Sequence, residues 1–199
     1  MGLKDKIKEL NRKARRKWKV GLSVAPERPS LDFVKKKFGA KPLFGAEIGT
    51  LGGENAEHML KDLNMKKLYL IDPWLDYDGY DSYKEGGQKK NLNKFYLKTL
   101  RRTNKFKDRV VLIRKFSSDA LKDVREKLDF IYIDGNHDYK FVKEDMKNYY
   151  KKLKKGGILA GHDIPRSDVC KAFCEFVGEI KNSQPRMEHR DWWLVKEED

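Results

Sequence analysis

The 199 residues, 39% of them hydrophobic and 12% aromatic, can close one good core, so a single globular domain is expected. With 38% charged residues and no apolar run near the ~18 residues that span a bilayer, a membrane-spanning helix is excluded. The net charge of +14 is uneven: residues 1–20 hold nine Lys/Arg against two acids, residues 84–109 hold ten against two, and the remainder sums to −1. That field suits a polyanion, an anionic membrane surface or a phosphorylated substrate, and equally suits two solvated helices. The N-terminus has no signal-type apolar region, and Lys6 stands where a myristoylation site needs Ser or Thr. Cys170 and Cys174 lack metal-type spacing and read as reduced thiols, which points to the cytoplasm.

In chain order, Leu3, Ile7, Leu10 and Ala14 set a narrow apolar stripe on a basic helix over 3–19, able to dock on the body, a second subunit or a membrane. Pro26 and Pro29 punctuate a connector, and Ser30 is expected to cap a short helix carrying Leu31, Val34 and Phe38. From residue 43 strands and helices alternate. Strands are expected at 43–49, 66–72, 109–115, 129–134 and 157–163, and helices at 54–64, 91–102, 118–128 and 141–153, the last ended by Gly156-Gly157. Leu92, Phe95, Thr99 and Leu100 form one face of the 91–102 helix. This alternation predicts a parallel sheet covered on both faces with right-handed crossovers. A helix over 168–180 and a terminal hairpin over 185–198 follow. The irregular 73–90 piece, with Trp74, Tyr77, Tyr80 and Tyr83, is long enough to be a lid over cofactor or substrate, or simply a packed loop.

Ligands of an open parallel sheet bind beyond the carboxyl ends of its strands. All five strand ends here are polar: Glu47-Ile48-Gly49-Thr50-Leu51-Gly52-Gly53, then Asp72, Ser117-Ser118-Asp119, Asp134-Gly135-Asn136-His137, and His162-Asp163. The first turn reads E-x-G-x-x-G-G, so Glu47 replaces the first glycine of a dinucleotide fingerprint. A carboxylate there repels a pyrophosphate but suits an ammonium group. Asp72, 25 residues later, can accept both hydroxyls of a ribose. S-adenosylmethionine, a nucleoside with a cationic amino-acid tail, satisfies both.

With these residues in view, the chain over about 40–199 resembles the class I S-adenosylmethionine-dependent methyltransferases. Within them it is most similar to the sugar and small-molecule O-methyltransferases with the pattern I-D-G-x-H-x-Y followed by G-G-x-x-x-x-H-D, here Ile133 to Tyr139 and Gly156-Gly157 to His162-Asp163. The resemblance implies a three-layer Rossmann-like α/β fold with a seven-stranded, mostly parallel sheet whose last strand, "DWWLVK", is antiparallel. It divides the chain into a basic N-terminal helical extension, 1–40, and a methyltransferase domain, 41–199. It further implies cofactor contacts from Glu47, Gly49 and Gly52, a ribose contact from Asp72, and adenine contacts from Ser118 and Asp119. In metal-dependent relatives the equivalents of Asp134, His162 and Asp163 hold a divalent ion, and the equivalent of His137 is the general base. Here His162 stands where relatives often carry an acid. Because Mg²⁺ prefers oxygen ligands, an imidazole tilts the choice toward Mn²⁺ or toward no metal.

The expected activity is methylation of a hydroxyl on a sugar or other small, hydroxylated or anionic acceptor, with Asp134 and His137 as the catalytic pair. Two other readings stand beside it: an RNA or DNA methyltransferase using the basic segments, and a non-catalytic cofactor-fold scaffold whose basic helix binds a membrane or partner, including a second copy of the chain. An RNA enzyme would show steep salt dependence, yet the sequence has no aromatic–basic RNA module.

Overall fold

A computed structural model describes residues 28–75, 91–181 and 184–197. The expected helix over 3–19, and Tyr77, Tyr80 and Tyr83, lie outside the described residues. The elements are α1 (Pro29–Phe38), β1 (Leu43–Ile48), α2 (Glu54–Asp62), β2 (Met65–Ile71), α3 (Leu92–Thr103), β3 (Val110–Ile113), α4 (Ser117–Ala120), β4 (Leu128–Ile133), α5 (Tyr139–Tyr150), β5 (Leu153–Gly161), α6 (Ser167–Glu179), β6 (Arg186–Glu188) and β7 (Asp191–Val195). Among the described residues the seven strands form one sheet in the order β3-β2-β1-β4-β5-β7-β6. The β1 to β5 pairings are parallel, and β7 runs antiparallel to β5 and β6, as expected. No helix among the described residues is long and apolar enough to cross a membrane.

Strand alternation splits the core into two layers. Ile131, Ile133, Leu159, Trp192 and Leu194 face α5 and α6, meeting Val142, Met146, Tyr149, Val169, Phe173 and Phe176. Phe130, Tyr132, Ile158 and Trp193 face the other way, onto Leu31 and Val34 of α1 and Ala56, Met59 and Leu60 of α2. The described body therefore takes in α1, which the sequence reading grouped with the extension.

Four expectations are corrected. Ser30 does not cap α1. Pro29 opens that helix, and the Ser30 backbone N–H and hydroxyl both donate to Asp191 Oδ2, fastening α1 to β7. The 118–128 helix shrinks to α4. Beyond it Val124 is buried, and Glu126 is drawn to Lys67 and Tyr69 on β2, so side-chain ties override helix propensity. Gly156 and Gly157 do not end α5. They sit inside β5, where Leu128↔Leu153 is followed by Phe130↔Ile158, and Gly156 takes the left-handed conformation at φ +75°. Leu100 is exposed, and Thr103 takes the buried place on α3.

The basic 84–109 segment is also less free than its charge suggests. Lys98 and Arg102 pair with Glu54 at 2.6 and 2.8 Å, and Arg102 and Lys105 pair with Glu57 at 3.3 and 3.2 Å. Three of its cations thus tie α3 and the turn after it to α2.

Candidate active site

The strand order reverses between β1 and β4, which is where an open parallel sheet leaves a crevice. One further row of backbone bonds aligns the strand ends around it. Gly49 N–H donates to Ile71 O at 2.8 Å, Asp134 N–H to Ile48 O at 2.8 Å, Asp72 N–H to Ile113 O at 3.3 Å, and His162 N–H to Ile133 O at 3.1 Å. The residues after each strand are therefore held on a common rim. A Cβ on Gly49, at φ +85°, would lie 2.2 Å from Asp134 O, so only glycine lets the two central turns meet.

The crevice holds about 430 Å³, within the range of small-ligand sites. Glu47, Gly49, Asp72, Ser118, Asp134 and His137 line it, joined by Arg28, Thr50, Asn55, Ser117, Asp145 and Arg166. Gly52, Asp119, His162 and Asp163 do not line it; Gly52 is buried, Asp119 is exposed on α4, and His162 and Asp163 sit beside the lining residues Asp134 and His137. The α5 residue Asp145 lines it instead, buried with a carboxyl pushed up to about 7 by burial, partly offset by the Ser117 hydroxyl. Sequence reasoning missed Asp145. Its signal was an acid on the inward stripe of Val142, Met146 and Tyr149.

At the β1 end, Glu47 is 1% exposed. Burial pushes its carboxyl up to about 8. Asn55, Thr50 and Arg28 act in the opposite direction, and Asp134 adds to the rise. Asn55 Nδ2 donates to Glu47 Oε1 at 2.9 Å. Glu47 Oε2, Asn55 Oδ1 and Thr50 Oγ1 are buried without an aligned hydrogen-bond partner. The Thr50 hydroxyl acts on Glu47 without good alignment, so these oxygens leave acceptor capacity open to the crevice. Asp72 is fixed differently: Leu51 N–H donates to its Oδ2 at 2.9 Å and Trp74 N–H to its Oδ1 at 2.7 Å. Burial raises its carboxyl and these amides pull it back. Each oxygen keeps a lone pair for the crevice. Trp74 is a packed residue, 1% exposed, with its indole N–H on Leu51 O at 2.7 Å and its ring edge-on to Tyr96 at 5.0 Å.

At the β4 end, His137 Nε2 lies 3.0 Å from Asp163 Oδ2 and 3.6 Å from Asp134 Oδ1. These are ion-pair distances without hydrogen-bond alignment. Burial alone would lower the imidazole; the two carboxylates outweigh it and hold it up at about 9. Asp163 is a non-glycine residue at φ +58°. Burial raises its carboxyl, but His137, His162 and Arg190 hold it well below the usual range. Arg166 Nε is 3.3 Å from Asp163 Oδ2, and Arg190 pairs with Oδ1. Both arginines escaped the sequence reading, because each acts from a different turn.

Asp134, His162 and Asp163 offer ligand atoms that all lie within 4.8 Å of one another. His162 Nδ1 is 3.1 Å from Asp163 Oδ1 and 3.8 Å from Asp134 Oδ1. Two carboxylates and one imidazole fit a divalent ion of the manganese type in donor chemistry and spacing. The two guanidinium groups occupy some lone pairs of Asp163, though a carboxylate has about four.

Residues 46–164 match a family described as "Methyltransferase domain". The chain belongs to the class I S-adenosylmethionine-dependent methyltransferases. A curated relative, the uncharacterized protein R132 of Acanthamoeba polyphaga mimivirus, is 30% identical over 138 residues, covering 67% of this chain and 57% of its own length. The chain thus spans little more than half of that relative. Among solved structures, the O-methyltransferase NovP superposes with a TM-score of 0.64 at 13% identity, covering 85% of this chain and 80% of that one. An O-methyltransferase from Bacillus cereus in complex with SAH gives 0.60 at 16%, covering 96% and 90%. An rRNA methylase from Streptococcus thermophilus gives 0.60 at 16%, covering 88% and 100%. At these identities the three likenesses speak for the methyltransferase fold alone.

Proposed function

We propose that this methyltransferase transfers the methyl group of S-adenosylmethionine to a hydroxyl of a sugar or other small acceptor. The observation that carries the reading is the meeting of Asp134 and His137, which line the crevice, with Asp163, which stands against His137 outside the lining, in a crevice also lined by Glu47 and Asp72. S-adenosylmethionine supplies an electrophilic methyl and its own leaving group. The chain must then bind the tail and ribose, align the acceptor and take its proton. Glu47 and Asp72 suit the first task. His137, on the crevice wall, suits proton removal from the acceptor hydroxyl once its imidazole is neutral; its two carboxylate neighbours keep it protonated up to about 9, so transfer should rise with pH. Asp134, His162 and Asp163 would hold a divalent ion, which lowers the pKa of a coordinated hydroxyl. Arg166, which lines the crevice while pairing with Asp163, favours an acceptor with anionic character.

The nucleic-acid reading is weaker among the described residues, since Lys98, Arg102 and Lys105 are engaged by Glu54 and Glu57. The test is calorimetry with S-adenosylmethionine, followed by methyl transfer to a panel of sugar, phenolic and RNA acceptors with and without Mn²⁺. Transfer to a hydroxylated small molecule is expected. Absence of cofactor binding at millimolar concentration would leave only the scaffold reading, and transfer to RNA alone would replace the acceptor class. Removing residues 1–20 should spare transfer to a small acceptor.

A further inference from the structure

Arg28 is a feature of the crevice wall that neither the sheet nor the proton-handling cluster explains. Its side chain is 12% exposed, and a largely buried guanidinium needs an anion. The carboxylate facing it is Asp191, whose Oδ1 lies at 3.7 Å, beyond good hydrogen-bond distance. Asp191 is already well supplied with donors: Ser30 gives it a backbone N–H and a hydroxyl, and Tyr132 Oη donates at 2.9 Å. A guanidinium carries five N–H donors, so this long contact orients Arg28 without exhausting it. The Tyr132 ring, 5.9 Å from the guanidinium carbon, adds a second support. Arg28 is also held at its backbone, because its carbonyl accepts from Leu31 at 2.9 Å and Asp32 at 3.2 Å as α1 begins.

Arg28 shares the wall with Glu47, whose Oε2 is buried and unpartnered beside Asn55 Oδ1. One wall thus carries a fixed cation and a cluster of unsatisfied acceptors. That pairing matches a zwitterion, and the amino-acid end of S-adenosylmethionine is one. We infer that Arg28 binds the α-carboxylate of the methionine end while Glu47 and Asn55 take its ammonium group. The inference rests on the cofactor reading above and adds a residue to it from outside the E-x-G turn. A guanidinium suits this role because it meets a carboxylate with two parallel N–H donors.

The test compares four ligands by calorimetry on the full chain. S-adenosylhomocysteine has the complete amino-acid end, 5′-methylthioadenosine lacks it, and decarboxylated S-adenosylmethionine keeps the ammonium but not the carboxylate that S-adenosylmethionine itself carries. Arg28→Gln should weaken S-adenosylhomocysteine by about 10- to 100-fold, the usual weight of a charge-assisted pair, and leave 5′-methylthioadenosine within about twofold. Arg28→Lys should recover part of the loss. On the unmodified protein, decarboxylated S-adenosylmethionine should bind about 10- to 100-fold more weakly than S-adenosylmethionine, a result that needs no variant to fold. Equal losses on S-adenosylhomocysteine and 5′-methylthioadenosine, or equal affinities for the two S-adenosylmethionine forms, would overturn the assignment of Arg28 alone. No binding of any of the four would overturn the cofactor reading with it.

Discussion

His137 Nε2 and Asp163 Oδ2 stand 3.0 Å apart, one from the turn after β4 and the other from the end of β5. They meet because Ile133 pairs with Gly161 in register, so both strands release their chains at the same level. Twenty-six residues of sequence separate them, and an entire helix lies between. Asp163 is steadied by Arg166 and Arg190 and in turn steadies the imidazole. This geometry places the imidazole against the crevice rather than in solvent.

The first prediction concerns that pair. His137→Ala should lower turnover by about 100-fold or more, the usual weight of general acid–base help. Affinity for S-adenosylhomocysteine should stay within about threefold, because His137 lies away from the Glu47 wall. Steady-state rates and calorimetry on the same preparation check both halves. Undiminished turnover would remove His137 from the chemistry.

A second concerns the metal. Mn²⁺ titrated into the chelator-treated protein should bind in a 1:1 ratio, read by its own electron paramagnetic resonance. His162→Ala and Asp134→Asn should each weaken that binding about tenfold or more. Mg²⁺ should compete poorly, as an imidazole donor suits it badly. If the unmodified protein shows no Mn²⁺ binding, Asp134, His162 and Asp163 form a hydrogen-bonded cluster and nothing more.

Glu47 gives a pH-dependent prediction. Its carboxyl stands at about 8 in the folded protein against 4.5 as the ordinary value, so folding retains a proton that unfolding releases. The stability this group contributes is therefore full below about 4.5 and is lost as pH rises to about 8. Glu47→Gln removes that loss and should make the protein more stable than its parent at pH 9, by up to roughly 5 kcal/mol at about 1.4 kcal/mol per pH unit. The same change should weaken S-adenosylmethionine about tenfold or more, since an amide is a poor partner for ammonium. Parent affinity should rise with pH toward 8 and the variant's should stay flat. Urea melts at pH 5, 7 and 9, paired with calorimetry, test this; equal affinities at pH 8.5 would break the link between Glu47 and the ammonium.

Gly49→Ala should be among the most damaging single-atom-scale changes. An added Cβ meets Asp134 O at 2.2 Å and the Gly135 Cα at 2.4 Å, all backbone, and φ +85° already disfavours alanine. A loss of more than about 3 kcal/mol in urea unfolding is expected, together with displacement of the Asp134 turn. Gly135→Ala, whose Cβ would meet nothing nearer than 3.6 Å, serves as the control and should cost far less.

Much of the site was legible because parallel sheets obey a strong rule: strand ends on one side make the crevice. Asp72 and Asp134 directly follow apolar strand runs, Glu47 is the penultimate residue of β1, and His137 lies in the turn after β4, so pattern alone brought them to a common rim. Asp119 illustrates the limit. It also follows a strand, but the expected helix stops at Ala120, and the chain's turn leaves Asp119 facing solvent while Asp145 takes the buried place. Nothing local distinguishes an inward acid from an outward one when the tie that decides, Glu126 to β2, lies in another segment.

By itself the sequence determined the alternation of elements, the seven-stranded, mostly parallel layout that the family resemblance implied, and the acids and histidines that finish the strands. Those features depend on period, propensity and turn chemistry, which act over a few residues. Only the tertiary structure decided which charges neutralise one another. It set Lys98, Arg102 and Lys105 against α2, gave Asp163 two guanidinium partners, and brought Arg28 to the wall of Glu47. Ion pairing and burial depend on distances across the fold, and those exist only once the layers have closed.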